Sequence, residues 1–221
     1  ETGTSTGSGI VLNGTSRQSL LSTGDIAQEV KLTVNNPAGI RLLSPLLISY
    51  QLELIQGKLY TSSTDLLSLG ADAICYGGSS LSFIEGPMKK IGNTGFDFPL
   101  GTGGIYAPIG IGNGGLNTDE FLAEYKRANP QSAPGLGNTC QVPIHHISYV
   151  EYWNLLRTAG NSSRKIKLAV SSSSFAYNLP ALVVARADNG QWISEGGNTH
   201  AAGMPSPPYA TGTFISDADI E

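Results

Sequence analysis

Charged side chains are scarce in this 221-residue chain: they make up 14% of it, against roughly 25% in soluble domains generally. The net charge is −4. No basic cluster is larger than Met88-Lys89-Lys90 or Ser163-Arg164-Lys165-Ile166-Lys167. Without a field of Lys and Arg to release counterions, no nucleic-acid partner is expected, and attraction to anionic lipid is weak. Long apolar runs are also missing. The most apolar window, Ile40 to Ile55, is broken by Arg41, Pro45, Gln51 and Glu53, well short of the roughly 18–20 residues of a membrane helix. Any membrane contact is therefore expected to be peripheral rather than transmembrane. Cysteine is reduced to Cys75 and Cys140, an even count that predicts one disulfide and an oxidising compartment.

Glycine (28) and proline (12) are abundant, and Ser and Thr fill many of the remaining places. Such a neutral, hydroxyl-rich surface points outside the cell. Two sequons, Asn13-Gly14-Thr15 and Asn161-Ser162-Ser163, sit in turn-like surroundings and mark Asn13 and Asn161 as glycosylation sites of a secreted glycoprotein. Residues 1–9 read as a flexible leader, with Glu1-Thr2-Gly3 a vector-derived remnant. Residues 10–221 read as one domain.

Short strands dominate the pattern. Val30, Leu32 and Val34 alternate with Lys31 and Thr33, the period of two that buries one face. Asn35-Asn36-Pro37-Ala38-Gly39 reads as a turn, and Gln56-Gly57-Lys58 as the turn of a hairpin into Leu59-Tyr60. Asp188-Asn189-Gly190 is the strongest turn signal, feeding Gln191-Trp192-Ile193. Two helices are predicted in the middle. One is capped by Asn117 or Thr118 and runs to Asn129-Pro130; the other opens on the capping box Ser148 to Glu151 and stops at Gly160. No internal repeat stands out. The expected architecture is a mainly β, antiparallel β-sandwich carrying a glycine-rich, two-helix insertion over about 79–163.

Gly110, Gly112 and Gly115 spell G-x-G-x-x-G, but the pattern lacks what a nucleotide loop needs. Pro108 weakens a strand before it, Asp119 and Glu120 would repel a pyrophosphate, and no Lys follows. A glycine-rich surface loop is expected instead. His145 and His146, being adjacent, point to opposite sides of an extended chain and cannot chelate one metal, and nothing in the spacing recruits His200. Ser171 to Ser174 have no adjacent base, and no G-x-S-x-G is present. No metal, no cofactor and no catalytic constellation is therefore expected. Binding chemistry is better represented: Tyr149, Tyr152 and Trp153 cluster, and Phe175, Tyr177, Trp192 and Tyr209 lie near turns. Rings beside hydroxyls suit sugars and quaternary ammonium groups.

Several of these stretches resemble one family. Val30 to Pro45 (VKLTVNNPAGIRLLSP), Leu66 to Cys75 (LLSLGADAIC), Leu168 to Leu179 (LAVSSSSFAYNL) and Arg186 to Trp192 (RADNGQW) are similar to strand and loop segments of the actinoporin-like proteins, over about a third of the chain. The resemblance implies a β-sandwich that recognises choline lipids or, in the fungal lectins of the same fold, sugars. It implies a headgroup loop at Ser173, Phe175 and Tyr177, to which the nearby ring of Trp192 adds a fourth candidate contact. Gly14, Ser16, Ser19, Ser22 and Gly24 interrupt any amphipathic helix over 10–29, so pore formation is not implied. The functional expectation is a secreted, lectin-like or membrane-binding domain that recognises a cell-surface glycan or choline lipid without a covalent step. The alternatives are a viral or cell-surface attachment domain that contacts a protein receptor, and a divergent hydrolase.

Overall fold

The computed structural model describes residues 8–23, 26, 29–176, 178–200, 212–215 and 220. Its amino-terminal half is a β-solenoid in which successive coils place short strands on three faces. The first coil contributes β1 (Gly9–Leu12) and β2 (Gln18–Leu20), and Ile26 stands for its third strand. The second holds β3 (Lys31–Asn35), β4 (Ile40–Leu42) and β5 (Leu46–Ile48). The third holds β6 (Gln51–Gln56), β7 (Leu59–Tyr60) and β8 (Leu67–Leu69), and the fourth β9 (Ile74–Gly77), β10 (Ile84–Glu85) and β11 (Met88–Ile91). Equivalent strands pair in parallel, so β1, β3, β6 and β9 form the first face.

Alternation within each strand and stacking between coils together build the core. Leu32, Leu52 and Cys75 follow Ile10 in one inward row, and Val34 and Leu54 follow Leu12 in the next. On the second face Ile40, Leu59, Ile84 and Leu100 stack. On the third, Leu46, Leu67 and Met88 recur at intervals of 21 residues. In these rows Leu32, Val34, Ile40, Leu46, Leu52, Leu54, Leu59, Leu67, Ile84, Met88 and Leu100 are buried, and Cys75 is half-buried. Each fully buried Leu or Ile contributes on the order of 1.5–3 kcal/mol.

The far end is closed by a change of strand direction. β12 (Phe96–Phe98), β13 (Leu100–Thr102), β14 (Ile105–Tyr106) and β15 (Ile109–Ile111) follow the fourth coil. β13 extends the second face in parallel and β14 ends it antiparallel. β16 (Glu120–Lys126) lies antiparallel on β11, and after β17 (Thr139–Cys140) the long β18 (Tyr152–Ala159) lies on β16. The Trp153 indole donates to the Ala107 carbonyl at 2.9 Å and fixes this cap to the coil. β19 (Ile166–Val170) joins β12 and β15 in a second, antiparallel sheet; β20 (Ala185–Asp188) and β21 (Gln191–Ser194) form a small one with β17. β22 (Asn198–His200) and β23 (Gly212–Ile215) extend the sheet of β19.

This fold corrects the expected antiparallel β-sandwich. Within the four coils, strands consecutive in sequence lie on different faces, so Gly57 turns a coil corner between β6 and β7 and makes no hairpin. Residues 79–106, assigned to an insertion, carry the fourth coil onward. Both predicted helices are strands, and only three 3₁₀ turns occur among the described residues. In β16 the buried residues are Phe121, Ala123 and Tyr125, a strict alternation. Leu122 on the outward row disguised that period as a helical stripe. The Ser148 hydroxyl does accept from the Val150 and Glu151 amides, at 3.3 Å each. The Glu151 carboxylate, however, goes to the Tyr125 hydroxyl at 2.6 Å instead of back to the cap, and the chain leaves the turn extended. The Asn35–Gly39 turn forms as read, around a fully buried Asn36. So does the Asn189-Gly190 hairpin, with φ of 48° and 79°, the signs a two-residue hairpin requires. Of the leader, residues 1–7 lie outside the described residues, and Gly9 already belongs to β1.

The glycine motif is strand as well as loop. Gly110 is the middle of β15, a central strand between β12 and β19, with Asp97 and Lys167 as its cross-strand neighbours. These two form an ion pair that arches over Gly110, and an added Cβ would strike both side chains. Because those atoms are the ends of exposed, flexible side chains, Gly110→Ala should displace the pair rather than unfold the sheet. The expected loss in urea unfolding is about 1 kcal/mol or less, with no remaining coupling between Asp97 and Lys167 in a double-mutant cycle. A loss several times larger would show that the close approach at Gly110 is a backbone requirement.

Candidate functional site

The second and third faces continue past the fourth coil, through β13 and β16, whereas the first face stops at β9. The strand that would come next, β12, pairs with β15 instead. A cleft of about 400 Å³ opens between them, within the size range of small-ligand pockets. One wall is the run Ala73 to Gly77, the other Thr94 to Asp97 with Pro99 and Tyr106, and Lys90 lies at the floor. A smaller pocket of about 130 Å³ shares Asp97 and Tyr106 and leads towards Lys167 and Ala169.

Parity along the strands decides what each side chain does. Cys75 points inward, so Ile74 and Tyr76 point out, and Tyr76 is 55% exposed at the rim. Burial pushes the Cys75 thiol up to about 12, which keeps it protonated and a poor nucleophile. The Tyr106 hydroxyl is raised to about 12, by burial first and then by Asp97 and Cys75. Lys90 occupies the inward row of Ile48 and Leu69 and is 1% exposed. Its ammonium donates to the carbonyls of Gly70, Ala71 and Ile91 at 2.5–2.8 Å. Burial nevertheless lowers it to about 8, against a smaller opposing pull from Asp72. Asp97, the cleft's carboxylate, is paired with Lys167.

The residues expected to bind ligand do not gather here. Ser173 lies in a 3₁₀ turn over Ser172–Ser174. Phe175, next in sequence, is 45% exposed with φ of 56°, and the Arg127 guanidinium sits 5.5 Å from its ring centroid. Trp192 is 7% exposed on β21, its indole donating to the Gly137 carbonyl at 3.3 Å; its ring is core. Tyr177 and Tyr209 lie outside the described residues. The expected disulfide is overturned: Cys75 and Cys140 are both free, on separate sheets of the molecule. Asn13 and Asn161 are exposed. His145 and His146 are exposed on the loop before β18, where the His146 ring stacks on Tyr149. Among the described residues no group of three or more His, Cys, Asp or Glu could hold a metal, and no helix is long and apolar enough to cross a membrane.

Tyr76, Lys90, Asp97 and Tyr106 were missed as a set because they come from four different strands, β9, β11, β12 and β14. One signal was available: in Met88-Lys89-Lys90-Ile91, Met88 and Lys90 share a parity, which placed a lysine on the buried side of an alternating strand.

No family model, no curated protein and no solved structure matches this chain. The likeness to the actinoporin-like proteins therefore rests on its sequence fragments alone, and the sandwich it implied is replaced by the solenoid.

Proposed function

We propose that this chain is a secreted, non-enzymatic binding domain that recognises a cell-surface ligand in the cleft between β9 and β12. The observation that carries the reading is an open cleft whose ionisable groups are all engaged or neutral. The thiol holds its proton, Asp97 is paired with Lys167, and the Lys90 amine is bound to three carbonyls. Neither His145 nor His146 lines it. Such groups position a ligand but supply no nucleophile with an adjacent base. The exposed sequons at Asn13 and Asn161 support an extracellular setting. A choline headgroup is the less favoured ligand, because a quaternary ammonium needs free aromatic faces. Phe175 already carries Arg127, and Trp192 is buried. A glycan stacked on the exposed Tyr76 ring is the second reading.

The test is binding of the fluorescently labelled chain to intact cells, beside a glycan array and choline-lipid vesicles. Tyr76→Ser should weaken cell binding by about tenfold, equivalent to 1.4 kcal/mol, while Phe175→Ala leaves it unchanged. The opposite pattern would return the site to the loop of Ser173 and Phe175.

A further inference from the structure

Resting on the cleft being the ligand site, we propose that its occupant is an extended polypeptide segment of a partner protein, added as a strand between β9 and β12. Both walls are strand edges. Among the described residues, β9 has β6 as its neighbour in the first face and none beyond, and β12 has β15 and none beyond. The Ile74 amide donates to the Tyr50 carbonyl at 3.0 Å, towards β6. In a parallel ladder, alternate residues direct their backbone groups to opposite neighbours. The Cys75 amide and carbonyl and the Gly77 amide therefore face the cleft, where no described group pairs with them.

The opening has the form of a missing strand. Five consecutive residues, Ala73 to Gly77, line it, a length of about 13 Å at roughly 3.3 Å per residue. A segment of four or five residues would satisfy both edges and continue the first face as far as the other two already run. Its side chains would alternate, one inward over Lys90 and Phe96, the next outward beside Tyr76. Strand addition of this kind draws affinity from main-chain hydrogen bonds and selectivity from alternate side chains. A sugar offers no such periodic row of amides and carbonyls, so the two free edges favour polypeptide over glycan.

The probe is a phage-displayed library of random ten-residue peptides, selected on the full chain, with synthetic copies of the selected peptides titrated afterwards. N-methylation at each peptide backbone nitrogen in turn should weaken binding at least tenfold throughout a run of four or five consecutive positions, because a strand held between two edges bonds every amide, and be tolerated outside that run. Hydrogen exchange at the Cys75 and Gly77 amides should slow at least tenfold in the complex. Cys75→Pro, which removes an amide from the free edge alone, should lower affinity about tenfold; the N-methyl series uses the native chain and does not depend on that variant folding. Selected peptides that tolerate N-methylation at every position or at every second one, or that leave residues 74–77 unprotected, would overturn strand addition between the two edges. So would a failure to select any peptide while an arrayed glycan protects the same residues. A chain that binds no cells yet shows the run of N-methyl-sensitive positions would remove the cell-surface reading and leave the strand site standing.

Discussion

Arg164→Ala is expected to destabilise the protein by about 3–5 kcal/mol, the usual consequence of leaving one member of a buried ion pair alone. Arg164 and Asp119 are both 0% exposed and 3.0 Å apart. The guanidinium also donates to the carbonyls of Asn93, Gly112 and Gly92 at 3.0–3.3 Å and lies 5.1 Å from the Phe121 ring centroid. One side chain thus ties the end of the fourth coil, the β15 strand and the β16 cap together. Its removal would leave a buried carboxylate and three carbonyls without that donor. Asp119 has further partners, the Ser162 hydroxyl and the Leu116 amide. The Ser162 hydrogen bond first, then Arg164, hold its carboxyl below the usual carboxylate range against the opposing effect of burial.

The sign of the accompanying pH effect follows. A carboxyl whose folded pKa is depressed contributes stability that is intact above its unfolded value, near 3.9, and is lost as pH falls through the folded one. Wild type should therefore lose stability on acidification below about pH 4, and Arg164→Ala should show a weaker loss because its Asp119 is no longer held down by the guanidinium. Urea unfolding at pH 7 and pH 3 measures both. The paired replacement Asp119→Leu with Arg164→Met should recover part of the loss, since two apolar groups leave no charge unpaired. A cost under about 1 kcal/mol for Arg164→Ala would mean that the cluster is hydrated and does not hold the cap.

Much of the local structure was readable, because it depends on neighbours in sequence. The Asn189-Gly190 hairpin, the Asn36 corner and the alternation around Leu32 each follow from two to five adjacent residues. The solenoid was not readable, because its repeat lives in which residue stacks on which. Its strands are mostly two to five residues long, too short for alternation to be counted with weight. The inward rows also change chemistry as they climb: Ile48 and Leu69 lead to Lys90, and Leu32 and Leu52 lead to Cys75. Unequal corners hide the period further, since Ile40, Leu59, Ile84 and Leu100 are unevenly spaced although they stack. The cleft was unreadable for a related reason. It exists because β12 departs from the first face to pair with β15, a choice of partner strand that no short stretch of sequence records.

Lys90 gives the second large effect. Lys90→Met keeps the volume of the inward row but strips the donor from the Gly70, Ala71 and Ile91 carbonyls, at an expected cost of about 2–4 kcal/mol near pH 7. Its dependence on pH separates the amine from the packing. The unfolded lysine titrates near 10.5 and the folded one at about 8, so between these values the unfolded chain holds the extra proton and stability rises with pH. Cys75 and Tyr106 act the other way. Their folded values, about 12, lie above the ordinary values of 9.0 and 10.0, so their contribution is whole below about pH 9 and declines above it. Wild type should consequently gain stability from about pH 8 to 9 and lose it at higher pH. Lys90→Met should show the decline without the gain. The difference between the two unfolding curves should change steadily in favour of wild type from pH 8 to 10.5 and then level off. A flat difference across that window would mean that the three carbonyls hold the ammonium charged as firmly as water does, and that this lysine clasps the corner as a cation throughout.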